Sequence, residues 1–185
     1  MLCKALHKIH VHIGAAEHTA RSLKNIVNIM SSKEDLLFKA LEVDPNRAGR
    51  WCKKVDGSLI ERINRTASPT ESTVRKLWYN GADGAQQHYH ESRYHALNLH
   101  SVWQKGTIEF RCFNSTTHAG KVKAYIQLAL AISHQAKTQK CASARKTVTT
   151  NEKFTFRTWL IRLGLNGDEF KTAREHLLAK LDGDI

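Results

Sequence analysis

Gly106-Thr107-Ile108-Glu109-Phe110-Arg111-Cys112-Phe113 is the stretch that decides the fold. Side chains alternate across a strand, so Thr107, Glu109 and Arg111 share one face while Ile108, Phe110 and Cys112 share the other. Just upstream, Ala96 to Val102 also alternates, with Asn98 and His100 opposing Leu97 and Leu99, and Gln104-Lys105-Gly106 supplies a turn. The two runs predict an antiparallel hairpin. Near the start, Ile9-His10-Val11-His12-Ile13-Gly14 predicts a further strand with both histidines on one side. In a shared sheet, the polar face would collect His10, His12, Asn98, His100, Glu109 and Arg111.

Outside these strands the apolar period is helical. Leu23, Ile26, Val27 and Met30 predict a helix from about Thr19. Ser31-Ser32-Lys33-Glu34 has the form of a capping box and predicts a second helix carrying Leu37, Ala40 and Leu41, stopped by Asp44-Pro45-Asn46. Arg47 to Ala67 reads as basic and irregular. An N-cap at Ser68, proline at the first helical position and Glu71 predict a helix that ends before Gly81. Gly81 to Glu91, with His88-Tyr89-His90-Glu91, reads as a polar loop. Further helices are expected from Ala119 to about Lys137, from about Phe154 to Leu163 and from Asp168 to Leu181. The nearest thing to a linker is the Thr, Ser, Ala and Lys run from Lys137 to Asn151. The expected class is α+β, helix-rich with a small antiparallel sheet. Residues 1–137 are expected to form the sheet-bearing domain, and 138–185 a C-terminal helical extension packed on it.

A chain of 185 residues with 41% apolar and 25% charged residues can build a hydrophobic core and is not a disordered or fibrous polymer. Its longest apolar run, Ile126 to Ile132 with Gln127 inside, is too short to span a bilayer. The start lacks the apolar core of a signal peptide, so a cytoplasmic protein is the expectation. Cys3, Cys52, Cys112 and Cys141 form no C-x-x-C pair and read as reduced structural thiols. The net charge of +12 calls for an anionic partner, although the basic residues are dispersed, with the densest patches at Arg47 to Lys54 and Lys137 to Lys146.

The polar strand face carries the chemistry. A one-sided sheet with a wet face is common, but such faces are usually built from Thr, Lys, Gln or Ser. His, Glu, Asn and Arg make an inventory for divalent cations and phosphates: Glu and His are metal ligands, and Arg takes phosphoryl oxygens in pairs.

Three segments carry a family resemblance. His10-Val11-His12-Ile13-Gly14, Arg93-Tyr94-His95-Ala96-Leu97-Asn98 and Gly106 to Thr116 resemble the amidoligase family. That family belongs to the carboxylate–amine ligase superfamily, with glutamine synthetase and glutamate–cysteine ligase. The Phe156-Arg157-Thr158-Trp159-Leu160 to Asp168-Glu169-Phe170-Lys171 tail is similar to the family's C-terminal region. The resemblance implies a glutamine-synthetase-like catalytic sheet and an ATP- and Mg²⁺-dependent reaction. A carboxylate would be phosphorylated by ATP, and an amine on an amino acid, peptide or protein side chain would then displace the phosphate. It implies Glu109 as a metal-binding glutamate beside the γ-phosphate and Arg111 as the arginine on the phosphoryl oxygens. His10, in preference to His12, matches the metal or phosphate histidine, and Arg93, Asn98 and His12 are the candidates for holding substrate or phosphate. Members also carry an earlier strand with paired metal-binding carboxylates. The nine residues before His10 contain no acid, so half of the metal cage is expected to be missing and activity of this chain alone does not follow. Oligomerisation could in principle supply ligands from a partner chain.

Other chemistries were open. His10 and His12 with His100, His88 or His90 could form a three-histidine Zn²⁺ site. Cys112 beside a histidine could be a nucleophile, although its face of the strand is apolar and predicts packing. The glycines form no Walker A or dinucleotide loop. Trp51, Trp78, Trp103 and Trp159 do not alternate with basic residues and read as core or rim. The alternative function is a basic, non-catalytic nucleic-acid-binding module, motivated by the charge alone.

Overall fold

The amino-terminal alternation forms β1 (Ile9–Gly14) in a computed structural model that describes residues 8–185. Cys3, and the segment searched for upstream carboxylates, lie almost wholly outside the described residues. The chain continues through α1 (Ala20–Ala40), α2 (Pro45–Arg50), α3 (Gly57–Arg65) and α4 (Glu71–Trp78). A 3₁₀ turn at Glu91–Arg93 leads to β2 (Leu97–Asn98), α5 (His100–Lys105) and β3 (Thr107–Phe113). The tail comprises α6 (Ala119–Thr138), α7 (Glu152–Arg162) and α8 (Lys171–Leu178), the last preceded by a 3₁₀ turn at Asp168–Phe170. This is an α+β fold, as the sequence predicts.

The sheet has the order β1-β3-β2, with β3 antiparallel to both neighbours. His12 pairs with Glu109 on one side and Asn98 pairs with Glu109 on the other. Residues opposite one another in register point to the same face, so the central strand's glutamate is flanked by polar groups from both edges. The register slips between Ile9 and Val11, which leaves His10 at an irregularity and swings it toward Glu109. The other face, with Val11, Leu97, Ile108, Phe110 and Cys112, joins one core with Leu23, Ile26, Val27, Met30 and Leu37 of α1 and Leu128, Ala129 and Ile132 of α6. Phe113 stacks on Tyr125 of α6 at 4.6 Å between ring centroids.

Four expectations about elements need correction. No new helix starts at Ser31: α1 runs through, because its apolar stripe continues to Leu37 and the supposed cap residues face protein. Glu34 is 1% exposed and accepts from Lys146 and from the Val55 N–H rather than closing a capping box. Arg47 to Ala67 is not irregular. Asp44 caps α2 ahead of proline at the first helical position, and Asp56 caps α3 through the N–H groups of Ser58 and Leu59. The cap of α4 is Thr70, not Ser68. Last, the predicted strand from Ala96 to Val102 shrinks to Leu97–Asn98, and the hairpin connection is α5, closed by Gly106 in the left-handed region at φ +67°. Residues 139–151 lack regular structure but are fastened: Asn25 holds the Gln139 and Ala142 backbones, and the Thr147 N–H donates to the Ser32 carbonyl.

Candidate active site

Glu109 is the hub of the polar strand face. It is 5% exposed, and β3 places it between the two edge strands. Its Oε1 accepts from His10 Nδ1 at 2.8 Å and from Arg111 Nη1 at 3.0 Å, with His12 Nε2 3.5 Å away. Its Oε2 accepts from Asn98 Nδ2 at 2.5 Å. Burial alone would raise this carboxyl above its ordinary value of 4.5. The His10 hydrogen bond, the Arg111 charge and the Asn98 hydrogen bond outweigh burial and hold it at about 2. Glu109 is therefore an anion throughout the neutral range.

The partners are held in turn. His12 Nδ1 bonds Thr107 Oγ1 at 2.9 Å, and Ser101 of α5 meets the same hydroxyl at 2.8 Å. Burial lowers the His12 pKa, and the charges of Lys105, His10 and Arg111 act in the same direction, against the pull of Glu109. His10 donates through Nδ1, so in its neutral form Nε2 carries a lone pair. That nitrogen is buried and has no partner among the described residues; the same is true of Asn98 Oδ1 and Arg111 Nε. These unmet groups sit on three residues around one carboxylate, which is a reason to look for function there.

Of the residues expected at the site, His10, His12, Asn98, Glu109 and Arg111 are brought together. Arg93 is not joined to Glu109 by a hydrogen bond. It donates weakly to the His88 carbonyl at 3.3 Å and lies over Tyr89 and Tyr94, and it shares with Glu109 only the lining of a narrow recess. His100 leaves the polar face, because α5 replaces the strand; its Nδ1 meets the Tyr79 hydroxyl at 2.5 Å in the interior. The three-histidine zinc arrangement does not form, and no group of three His, Cys, Asp or Glu side chains among the described residues is placed to hold a metal. Cys112 is packed, and burial pushes its thiol pKa up, which removes it as a nucleophile.

As arranged, the cluster does not fit Mg²⁺. That ion prefers several oxygen ligands, and the cluster offers one carboxylate already engaged by a guanidinium and an imidazole. The recess beside Glu109 holds about 20 Å³, space for about one water. A nucleotide would have to lie over the partly exposed rim of His10 and His12 rather than inside. A roomier cavity of about 510 Å³, lined by Asp56, Arg62, Trp78, Tyr79 and His95, includes none of the five clustered residues.

Sequence reasoning places Arg47 only at the head of a basic patch, not beside the site. It is 9% exposed on α2, donates Nη1 to Asn114 Oδ1 at 2.9 Å and donates Nη2 to the Arg111 carbonyl. The signal was the Asp44-Pro45 pair, which opens a helix as well as ending one.

The model of the family described as "putative amidoligase enzyme" matches residues 5–133, more than half of the chain. The chain belongs to the amidoligase family. No curated protein and no solved structure matches it. The matched span of this amidoligase-family chain contains the whole sheet and every member of the Glu109 cluster. No helix among the described residues is long and apolar enough to cross a membrane.

Proposed function

We propose that the chain serves an ATP- and Mg²⁺-dependent amidoligase reaction of the glutamine-synthetase-like class. ATP would transfer its γ-phosphoryl group to a carboxylate oxygen, leaving ADP and an acyl phosphate. An amine would then attack the acyl carbon, inorganic phosphate would depart, and the amine's surplus proton would be lost as the amide forms. Family membership supports the ligase class. The observation that carries the site assignment is the sharing of one carboxylate oxygen by His10 and Arg111.

The cluster divides the work by chemistry. Arg111 spends one N–H group on Glu109 and has no other side-chain acceptor among the described residues, so it can offer the rest to phosphoryl oxygens as charge shifts onto them. Glu109 acts as a positioning residue that fixes both the guanidinium and the imidazole. His10, held by its Nδ1–H donation to Glu109, keeps that carboxylate oriented from the β1 side. Asn98 and His12 hold Glu109 from the two flanking strands. Mg²⁺ bound with ATP supplies neutralisation of the phosphates, and its ligands are to be sought beyond this cluster. The acceptor is an amino acid, peptide or protein side chain.

A thermal shift tests this reading. ATP should raise the melting temperature only with Mg²⁺ present, and Arg111→Met that remains folded by circular dichroism should lose that shift. An unchanged shift in Arg111→Met would overturn the assignment.

A further inference from the structure

A cationic track runs from the surface to the Glu109 cluster. Lys8 Nζ lies 5.6 Å from the Trp51 ring centroid and the Arg50 guanidinium 5.8 Å from it. Trp51, 40% exposed, meets Tyr94 edge-on at 4.9 Å between centroids. Tyr94 in turn has the guanidiniums of Arg93 and Arg111 each 5.8 Å from its centroid. Arg47 closes the inner end by donating to the Arg111 carbonyl.

This track has too few negative charges. Among the described residues, Lys8, Arg47, Arg50 and Arg93 have no carboxylate partner, and Glu109 serves Arg111 and His10 together. Asp44 is near in sequence, but it accepts from the backbone N–H of Arg47 rather than from the guanidinium. A guanidinium that is 9% exposed and hydrogen-bonded only to neutral oxygens is costly to keep unless an anion arrives. Guanidinium matches a carboxylate with two parallel hydrogen bonds. The Trp51 ring already carries two cations, which a stacking nucleobase would have to displace.

We propose that Lys8, Arg47, Arg50, Trp51 and Arg111 bind a multiply carboxylated acid, an acidic peptide rich in glutamate or aspartate, with one carboxyl delivered to Arg111 and the others spread along the outer cations. The proposal rests on the ligase reading for what happens to that carboxyl, and it names the acid's class. Binding itself needs neither nucleotide nor metal.

The experiment is titration of the full chain with hexaglutamate at about 50 mM salt, followed by Trp fluorescence and calorimetry, without nucleotide. Lys8→Gln/Arg50→Gln, two exposed changes that leave the fold intact, should weaken binding about tenfold, while Lys123→Gln on α6 leaves it unchanged. Equal affinity in the double variant would overturn the proposal, as would the absence of hexaglutamate binding. An oligothymidylate of equal charge binding as tightly as hexaglutamate would overturn it in favour of nucleic acid. The thermal shift with Mg²⁺-ATP separates the two readings. Hexaglutamate binding without that shift supports the acidic-peptide site and overturns only the ligase assignment. The shift without hexaglutamate binding overturns only the peptide site.

Discussion

His10 and Glu109 lie 99 positions apart in the chain yet share a 2.8 Å hydrogen bond, Nδ1 to Oε1, at the point where the β1–β3 register slips. The slip lets β1 present two histidines to one carboxylate. Arg111, on the same strand face as Glu109, completes a charge cluster with its anion at the centre.

Glu109→Gln should be among the costliest single changes in the sheet. It leaves a guanidinium that is 7% exposed without its anion, a loss of about 3–5 kcal/mol for breaking a buried pair. Linkage gives a similar figure. The folded carboxyl sits at about 2 against an ordinary 4.5, which is worth about 3 kcal/mol. Because the folded pKa is depressed, this stability is present above the unfolded value and is lost as pH falls from about 4.5 toward 2. Urea unfolding at pH 7 and at pH 3 should show the penalty of Glu109→Gln shrinking at the lower pH. A penalty that does not change with pH would mean that Glu109 is not the anion described.

Glu34 should behave in the opposite way. It is as buried as Glu109, but burial dominates and its pKa is raised, despite the Lys146 and Val55 hydrogen bonds. A raised carboxyl pKa means that folding favours the protonated form, so this group's contribution improves as pH falls through the folded value. Glu34→Gln keeps an oxygen for only one of the two bonds, which fall on different carboxylate oxygens, but it also removes a buried charge, and should cost about 1 kcal/mol at pH 7, the range of a single net hydrogen bond. Denaturation of the two Gln variants side by side checks the contrast.

The strands that build the cluster were legible because period two survives in β1 and β3 and glycine marks their ends. Where the reading failed, tertiary contacts or double-purpose residues decided. Leu99-His100-Ser101-Val102 alternates as a strand would, yet the chain coils into α5, which buries His100 against Tyr79 and lays Ser101 on Thr107. Ser31, Ser32 and Glu34 look like a helix start in isolation. In the fold, Glu34 serves Lys146 and Val55, and the Ser32 carbonyl serves Thr147, so their roles depend on segments far along the chain. The place of Arg47 is hidden because Asp44-Pro45 opens a helix as well as ending one. The engagement of Glu109 was hidden too: the residue types suit a metal, but in the fold Arg111 and His10 already occupy the carboxylate.

Gly106 provides a test that touches no side chain. It closes α5 at φ +67°, and a Cβ built there would meet nothing within 4 Å. Gly106→Ala should therefore cost only the left-handed backbone penalty, about 1–2 kcal/mol, with the fold retained. Since β3 starts at the next residue, the Mg²⁺-ATP thermal shift of this variant should persist at a lower baseline melting temperature. A loss far above that range would show that the turn does more than reverse the chain.

Asn98 separates hydrogen bonding from charge at the hub. It is 2% exposed and donates to Glu109 Oε2 at 2.5 Å. Asn98→Ala removes that donor and should cost about 1–3 kcal/mol, because a buried carboxylate oxygen is left less satisfied. Asn98→Asp instead places a second carboxyl against the first, and two such neighbours cannot both ionise cheaply. One of the pair will take up a proton with a raised pKa, so Asn98→Asp should be weaker than Asn98→Ala at pH 7 and should gain stability on acidification, while Asn98→Ala should not. Thermal melts of both variants between pH 7 and pH 5 decide this: parallel curves would place Asn98 away from the Glu109 carboxylate, and crossing curves would confirm the contact.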